Sequence, residues 1–227
     1  IKELVENALD AGADTIVVVV RGTGKQLIHV IDNGRGMSKP DLMLACKRHA
    51  TSKIRTTEDL QRIMTLGFRG EALASIASVA QIEIRTRREQ DEVGWKLLSQ
   101  PLAEPTVEPC SLEKGTQVLV KNLFYNVPAR RKFLRTDLTE FRHISDTMLR
   151  FAIGNAHIRF VFYNEDSLVY DVQPSDVRTR VANLLGERFA ESLLAAEAEN
   201  DLVKVTGFIG QPSFAQTTKA EQFLYLN

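Results

Sequence analysis

IKELVENALDAGADTIVVVVRGTGKQLIHVIDNGRGM, residues 1–37, is the stretch on which the fold turns. Ile1, Leu4, Val5, Ala8 and Leu9 have the spacing of a helical apolar stripe, and Gly12 follows as a helix-stopping glycine. Residues 15–21 are a β-branched run that reads as a buried strand, 22–24 as a turn, and 26–32 as a second, alternating strand. A helix followed by a hairpin is therefore the opening unit. The apolar stripe leaves Glu3, Asn7 and Asp10 together on the opposite face of the helix. A carboxylate and a carboxamide one turn apart can serve as a general base and an oxygen ligand for a hard cation such as Mg2+, and the same pattern also fits a plain solvent face. The second strand ends in Asp32-Asn33-Gly34-Arg35-Gly36. A carboxylate there can accept a hydrogen bond from an exocyclic amine while the glycines let backbone approach a ligand; a tight Asn-Gly turn is the alternative.

Outward from this unit the chain reads as helices over 40–46, 58–64 and 71–79, then strands over 81–87, 95–98 and 117–123. An amphipathic helix over 138–153 carries Leu138, Phe141, Ile144, Met148 and Phe151 on one stripe, and a hairpin over 157–162 and 167–172 follows. The texture changes at Pro174. Residues 178–185 read as helix, 192–198 are alanine-rich, and 203–209 and 222–226 read as strands. This predicts one domain over 1–174 and the first part of a second over 175–227. The chain opens inside a helix without Met and closes inside a strand pattern, so it is expected to be a piece of a longer protein.

Composition narrows the class. With 227 residues, 44% hydrophobic and 26% charged, the chain is long enough for a core and is neither disordered nor collagen-like. Its longest apolar run, 16–20, is far short of the roughly 20 residues that span a bilayer, so a soluble, intracellular protein without membrane contact is expected. Cys46 and Cys110 are too isolated for a disulfide framework or a zinc site, and the four histidines lack ligand spacing. Lys and Arg total 29, as do Asp and Glu, yet residues 1–150 carry an excess of four positive charges and the remainder an excess of four negative. Within the basic part Arg130, Arg131, Lys132 and Arg135 are nearly contiguous, which suits a phosphate-facing patch or a solvated helix face.

Two further segments have the residue types of a phosphate site. Arg48-His49-Ala50-Thr51-Ser52-Lys53 offers hydroxyl and ammonium donors, and Gly67-Phe68-Arg69-Gly70-Glu71-Ala72-Leu73 runs from glycines into a helix N-terminus, whose N–H groups can cradle phosphate oxygens. No G-x-x-x-x-G-K-[ST] loop occurs, so any nucleotide site is of another class. Gly115-Thr116 opens a later strand with a hydroxyl that could reach a base.

In order and spacing, Glu3-x-x-x-Asn7-x-x-Asp10-Ala11, Asp32-x-Gly34-x-Gly36, Gly67 to Leu73 and Gly115-Thr116 resemble the four motifs of the GHKL ATPases. Residues 48–53, 67–76 and 123–134, the last reading LFYNVPARRKFL, are similar within that superfamily to MutL-type mismatch repair proteins. The resemblance covers essentially the whole chain. It implies an α+β fold: a GHKL (Bergerat) α/β sandwich with a mixed, mostly antiparallel sheet, then the start of an S5 domain 2-like domain. It implies ATP and Mg2+ as cofactors, Glu3 as the base that activates water, Asn7 as the Mg2+ ligand, and Asp32 with Thr116 at the adenine. Gly34 and Gly36 would admit the nucleotide, and Thr51, Ser52, Lys53, Gly67, Arg69, Gly70, Glu71, Ala72 and Leu73 would form a lid over the phosphates. The implied partners are DNA, a MutS-type mismatch sensor, a downstream nuclease or helicase, and a second copy or paralogue that dimerises when ATP orders the lid. Arg130, Arg131, Lys132 and Arg135 then become candidate DNA-phosphate contacts. The implied location is cytoplasmic in a bacterium and nuclear in a eukaryote. A gyrase-B-like topoisomerase subunit and a non-catalytic interaction module are the other readings; the 124–134 string speaks against the first, and the intact Glu3, Asn7, Asp32 and Gly36 set against the second.

Overall fold

The computed structural model describes residues 1–46, 71–214 and 221–226. Helix α1 (Lys2–Asp10) buries Leu4, Val5 and Ala8. It ends with Gly12 at φ +71°, the left-handed conformation that glycine adopts without steric cost. Strands β1 (Thr15–Arg21) and β2 (Leu27–Asp32) form the expected hairpin around a 3-10 turn at Gly22–Gly24. Helix α2 (Lys39–Ala45) is capped by the Ser38 hydroxyl, which accepts from the Asp41 N–H, and α3 (Ala72–Ala77) leads into β3 (Gln81–Arg87). Then come β4 (Gly94–Ser99), β5 (Thr106–Cys110), β6 (Gly115–Lys121), the short α4 (Pro128–Lys132), the long α5 (Asp137–Gly154), β7 (Arg159–Asn164) and β8 (Ser167–Val172).

These strands make one eight-stranded sheet in the order β5-β4-β3-β6-β2-β1-β7-β8. Among the described residues only the β1–β7 pair is parallel, so the sheet is mixed and mostly antiparallel, as the family resemblance implies. Alternation puts Ile16, Val18, Val20, Ile28, Val30, Val118, Val120, Ile82 and Ile84 on one buried face, under α1, α2, α3 and α5. The opposite face is half-exposed at Val17, Val19, His29, Ile31, Gln117 and Leu119. There Glu83 is held between Arg85 and Lys121, whose side chains lie at 2.5 and 2.7 Å and keep its carboxyl below the usual range against the pull of burial. The core is thus one layer between sheet and helices.

Beyond β8, α6 (Val177–Leu185) packs on α5 and β8, and α7 (Glu187–Glu191) precedes an antiparallel pair, β9 (Leu193–Glu199) and β10 (Lys204–Gly210). The strand expected over 222–226 does not form: Tyr225 instead donates its hydroxyl to the Arg150 carbonyl, and Phe223 lies beneath the Arg150 guanidinium. Its two aromatic residues are thus engaged with α5, while Leu224 and Leu226 remain exposed. The helix expected over 58–64 lies outside the described residues. Among the described residues no helix is long and apolar enough to cross a membrane.

Candidate functional site

The sheet changes character at one end. Along the buried face the rows Val20–Ile28–Val120–Ile82 and Val18–Val30–Val118–Ile84 are aliphatic, whereas the next row, by strand register, is Ile16–Asp32–Thr116–Thr86. Asp32, Thr116 and Thr86 are all buried, Thr86 completely. Three adjacent polar side chains at core-facing positions cost stability unless each is satisfied. The Gly34 N–H donates to Asp32 Oδ1 at 2.9 Å. Thr86 Oγ1 donates to the Gly115 carbonyl at 3.1 Å, accepts from the Met37 N–H at 2.8 Å, and lies 3.1 Å from Thr116 Oγ1. Burial pushes the Asp32 carboxyl up to about 6, while backbone N–H groups of Gly34 and Thr116 pull the other way.

Around this row the backbone closes too tightly for side chains. A Cβ at Gly34 would stand 2.8 Å from the Ala11 carbonyl oxygen, and one at Gly36, where φ is +68°, would collide with the Arg87 carbonyl. The Arg35 N–H donates to the Ala11 carbonyl at 3.0 Å, which ties the loop after β2 to the end of α1. Asn33 steadies the same corner, its Oδ1 accepting from the N–H groups of Asp14 and Thr15 at 3.1 and 3.0 Å.

Of the residues singled out in sequence, the structure brings Asp32, Gly34, Gly36 and Thr116 together. Glu3 and Asn7 share α1 with the contact to this loop; Glu3 is exposed, with Lys2 Nζ 3.7 Å from its carboxylate, while the neighbouring Glu6 is buried and pairs with Lys2 at 2.8 Å. Glu71 is the N-cap of α3, followed by Ala72 and Leu73 in its first turn. Thr51, Ser52, Lys53, Gly67, Arg69 and Gly70 lie outside the described residues. Arg130, Arg131 and Lys132 sit on α4, all exposed. Arg135 lies near Lys25, whose Nζ reaches the Arg135 carbonyl at 3.5 Å and Asp137 at 2.6 Å. Lys25 precedes β2 and Asp32 ends it, so the basic run and the polar row stand at opposite ends of a six-residue strand, roughly 20 Å apart.

Sequence reading misses Thr86. Its signal is a polar residue continuing the inward alternation of Ile82 and Ile84, legible only once the strand register is known. A cavity of about 130 Å3 opens at the same strand ends, lined by Asp32, Gly115 and Thr116 together with Val17, Ile31 and Gln117 of the half-exposed face, and it is smaller than typical ligand pockets. Among the described residues no group of three or more His, Cys, Asp or Glu is placed to hold a metal.

The profile of the histidine kinase-, DNA gyrase B- and HSP90-like ATPases matches residues 1–103. All 227 residues align at 46% identity with the DNA mismatch repair protein MutL of Flavobacterium psychrophilum, covering 37% of that protein. The MutL of Chlorobaculum tepidum aligns over the same length at 43%, with 36% of it covered. The chain therefore spans little more than a third of these relatives. Among solved structures, the Aquifex aeolicus MutL ATPase domain complexed with ADP superposes with a TM-score of 0.67 at 28% identity, over 87% of this chain and 70% of that one. The N-terminal domain of a DNA repair protein superposes at 0.81 and 29% identity, over 98% and 71%.

Proposed function

Since the chain belongs to the GHKL ATPases, and among them to the MutL type, we propose that it binds ATP and slowly hydrolyses it as the nucleotide switch of a DNA mismatch repair protein. One observation carries the reading: the buried Asp32–Thr116–Thr86 row ends against a loop where neither Gly34 nor Gly36 has room for a Cβ. A carboxylate acceptor beside backbone with no intervening side chains suits the amino edge of a purine.

Asp32 accepts from the exocyclic amine of adenine, with Thr116 beside it, and Gly34 and Gly36 let the loop backbone fold in close beside them, within reach of the nucleotide. Glu3, exposed on α1, takes the proton of the attacking water. Asn7 offers a carboxamide oxygen to Mg2+, an ion that commonly keeps few protein ligands alongside phosphate oxygens. ATP bound with Mg2+ supplies the scissile anhydride and the neutralised phosphate charge. Thr51, Ser52, Lys53, Gly67, Arg69, Gly70, Glu71, Ala72 and Leu73 form the lid. Its ordering drives association with a second copy or paralogue and couples DNA and a MutS-type sensor to a downstream nuclease or helicase, in the bacterial cytoplasm or a eukaryotic nucleus. Residues 1–174 form the ATPase domain and 175–227 the first part of the S5 domain 2-like domain.

In the full-length protein, calorimetry with a non-hydrolysable ATP analogue is expected to show binding that Asp32→Ala and Asn7→Ala lose and Glu3→Ala retains, while phosphate release is abolished in Glu3→Ala. Turnover by Glu3→Ala at the parent rate would remove Glu3 from the base role. No analogue binding by the parent would favour an interaction module.

A further inference from the structure

Thr86 poses a question of proton inventory. A valine would fill its fully buried position on β3 with the same shape, so the hydroxyl is there at a cost that its hydrogen bonds must offset. A threonine hydroxyl has one hydrogen and two lone pairs. The Met37 N–H, 2.8 Å away, can only donate and occupies one lone pair. The Gly115 carbonyl, 3.1 Å away, can only accept and takes the single hydrogen. The contact to Thr116 Oγ1 at 3.1 Å is then satisfied in one way, with Thr116 donating its hydrogen to Thr86. Every valence of the Thr86 hydroxyl is used, and Thr116 is left with lone pairs only.

We propose that Thr86 is a positioning and specificity-determining residue, which fixes Thr116 as a hydrogen-bond acceptor beside Asp32 and so selects a purine whose six-position is an amine over one whose six-position is a carbonyl. The proposal rests on the nucleotide reading and deepens it. Two adjacent acceptors, the Asp32 carboxylate and the Thr116 oxygen, complement the N–H groups of a 6-amino purine and meet a 6-oxo group lone pair to lone pair. The same hydroxyl joins Met37, just past the Asp32–Gly36 loop, to Gly115 at the head of β6, so it holds the two backbone walls of the site in register. Gly115 is itself confined: φ is +131° and a Cβ would meet the Asp32 carbonyl. Thr86 touches neither substrate nor reacting atoms and acts through Thr116.

The test compares ADP with IDP, which differ at the six-position, by titration calorimetry on the full-length protein and its Thr86→Val and Thr86→Ser variants. The parent is expected to prefer ADP. Thr86→Val frees the Thr116 hydrogen to face a carbonyl, so ADP should weaken on the order of tenfold, as expected for a buried hydrogen bond removed, while IDP changes less and the ratio narrows. Thr86→Ser should restore both affinity and ratio. A purely structural Thr86 would weaken both nucleotides in parallel; that outcome, or an unchanged ratio, overturns the proposal. If Thr86→Val fails to fold by circular dichroism, Thr116→Val must narrow the ratio in the same direction, and its failure to do so also overturns it. Absence of ADP binding by the parent overturns the nucleotide reading and this proposal together, whereas parent binding with an unaltered variant ratio overturns only this one.

Discussion

Asp32 is pushed up to about 6 by burial, so the folded protein holds a proton there more tightly than the unfolded chain, whose ordinary value is 3.8. The sign follows: this carboxyl contributes stability that is full below about pH 4 and is lost as the pH rises through 6, about 3 kcal/mol at most. Ligand binding needs the opposite form, since only the carboxylate accepts from an amine without competing as a donor. The same residue therefore weakens the ligand-free fold at the pH where it serves recognition, a cost characteristic of functional sites. Thermal melts at pH 5 and pH 8 are expected to show a larger loss for the parent than for Asp32→Asn, which is neutral throughout and keeps a side-chain oxygen for the Gly34 N–H. ATP-analogue affinity of the parent should rise over the same interval. Parallel melting of the two proteins would mean that Asp32 is already ionised at pH 5.

At the scale of elements, α4 is five residues long, fully exposed, and ends in Arg130, Arg131 and Lys132. A helix that buries nothing contributes little to the core, so its charge can be reversed at small cost to folding. Arg130→Glu combined with Arg131→Glu is expected to weaken DNA binding and flatten its salt dependence, by a log–log slope of about one for each DNA phosphate left unneutralised. A slope equal to the parent's would leave α4 a solvated edge. Legibility from sequence follows the same division between buried and exposed elements. Strands β1 and β3 lie where their β-branched or alternating patterns put them, because burial on one face imposes a period of two. β5 escapes such a reading: it is an edge strand containing Pro109, mostly exposed, and is held by pairing to β4 with Lys96 reaching Glu108 at 2.5 Å. α4 and α7 are too short to show a period. Of the polar row, Asp32 and Thr116 are visible in the sequence because glycines flank them, whereas Thr86 sits in an ordinary strand and acquires meaning only from pairing with β6.

Across the whole molecule, the part after β8 is joined to the sheet layer by two arginines in series. Arg180 on α6 is fully buried, and its guanidinium donates to the carbonyls of Ala152 at 2.5 Å, Ala156 at 2.8 Å, Ile158 at 2.7 Å and Gln173 at 2.9 Å. Carbonyl dipoles thus receive this charge, including one in the last turn of α5, where the helix dipole favours a cation. Arg178, two residues earlier on α6, donates to the carbonyls of Ala190 and Leu193 at 2.9 and 2.8 Å and so carries α7 and β9. Apolar packing adds to these ties at the junction, where Ile153, Val181 and Ala190 are buried and Leu149, Leu184, Phe189 and Leu193 pack partly buried against them. Arg180→Met would leave buried carbonyls without donors, and a loss on the order of 3 kcal/mol or more is expected. Arg180→Lys should recover little, because an ammonium is a point donor and cannot span four carbonyls fanned around a planar fork. Arg178→Ala should instead loosen only what lies beyond α6, raising hydrogen exchange in β9 and β10 while the melting of the eight-stranded sheet stays within about a degree or two of the parent. If Arg180→Met melts with the parent, or Arg178→Ala destabilises the sheet equally, the series arrangement is wrong and the two parts fold as one cooperative unit.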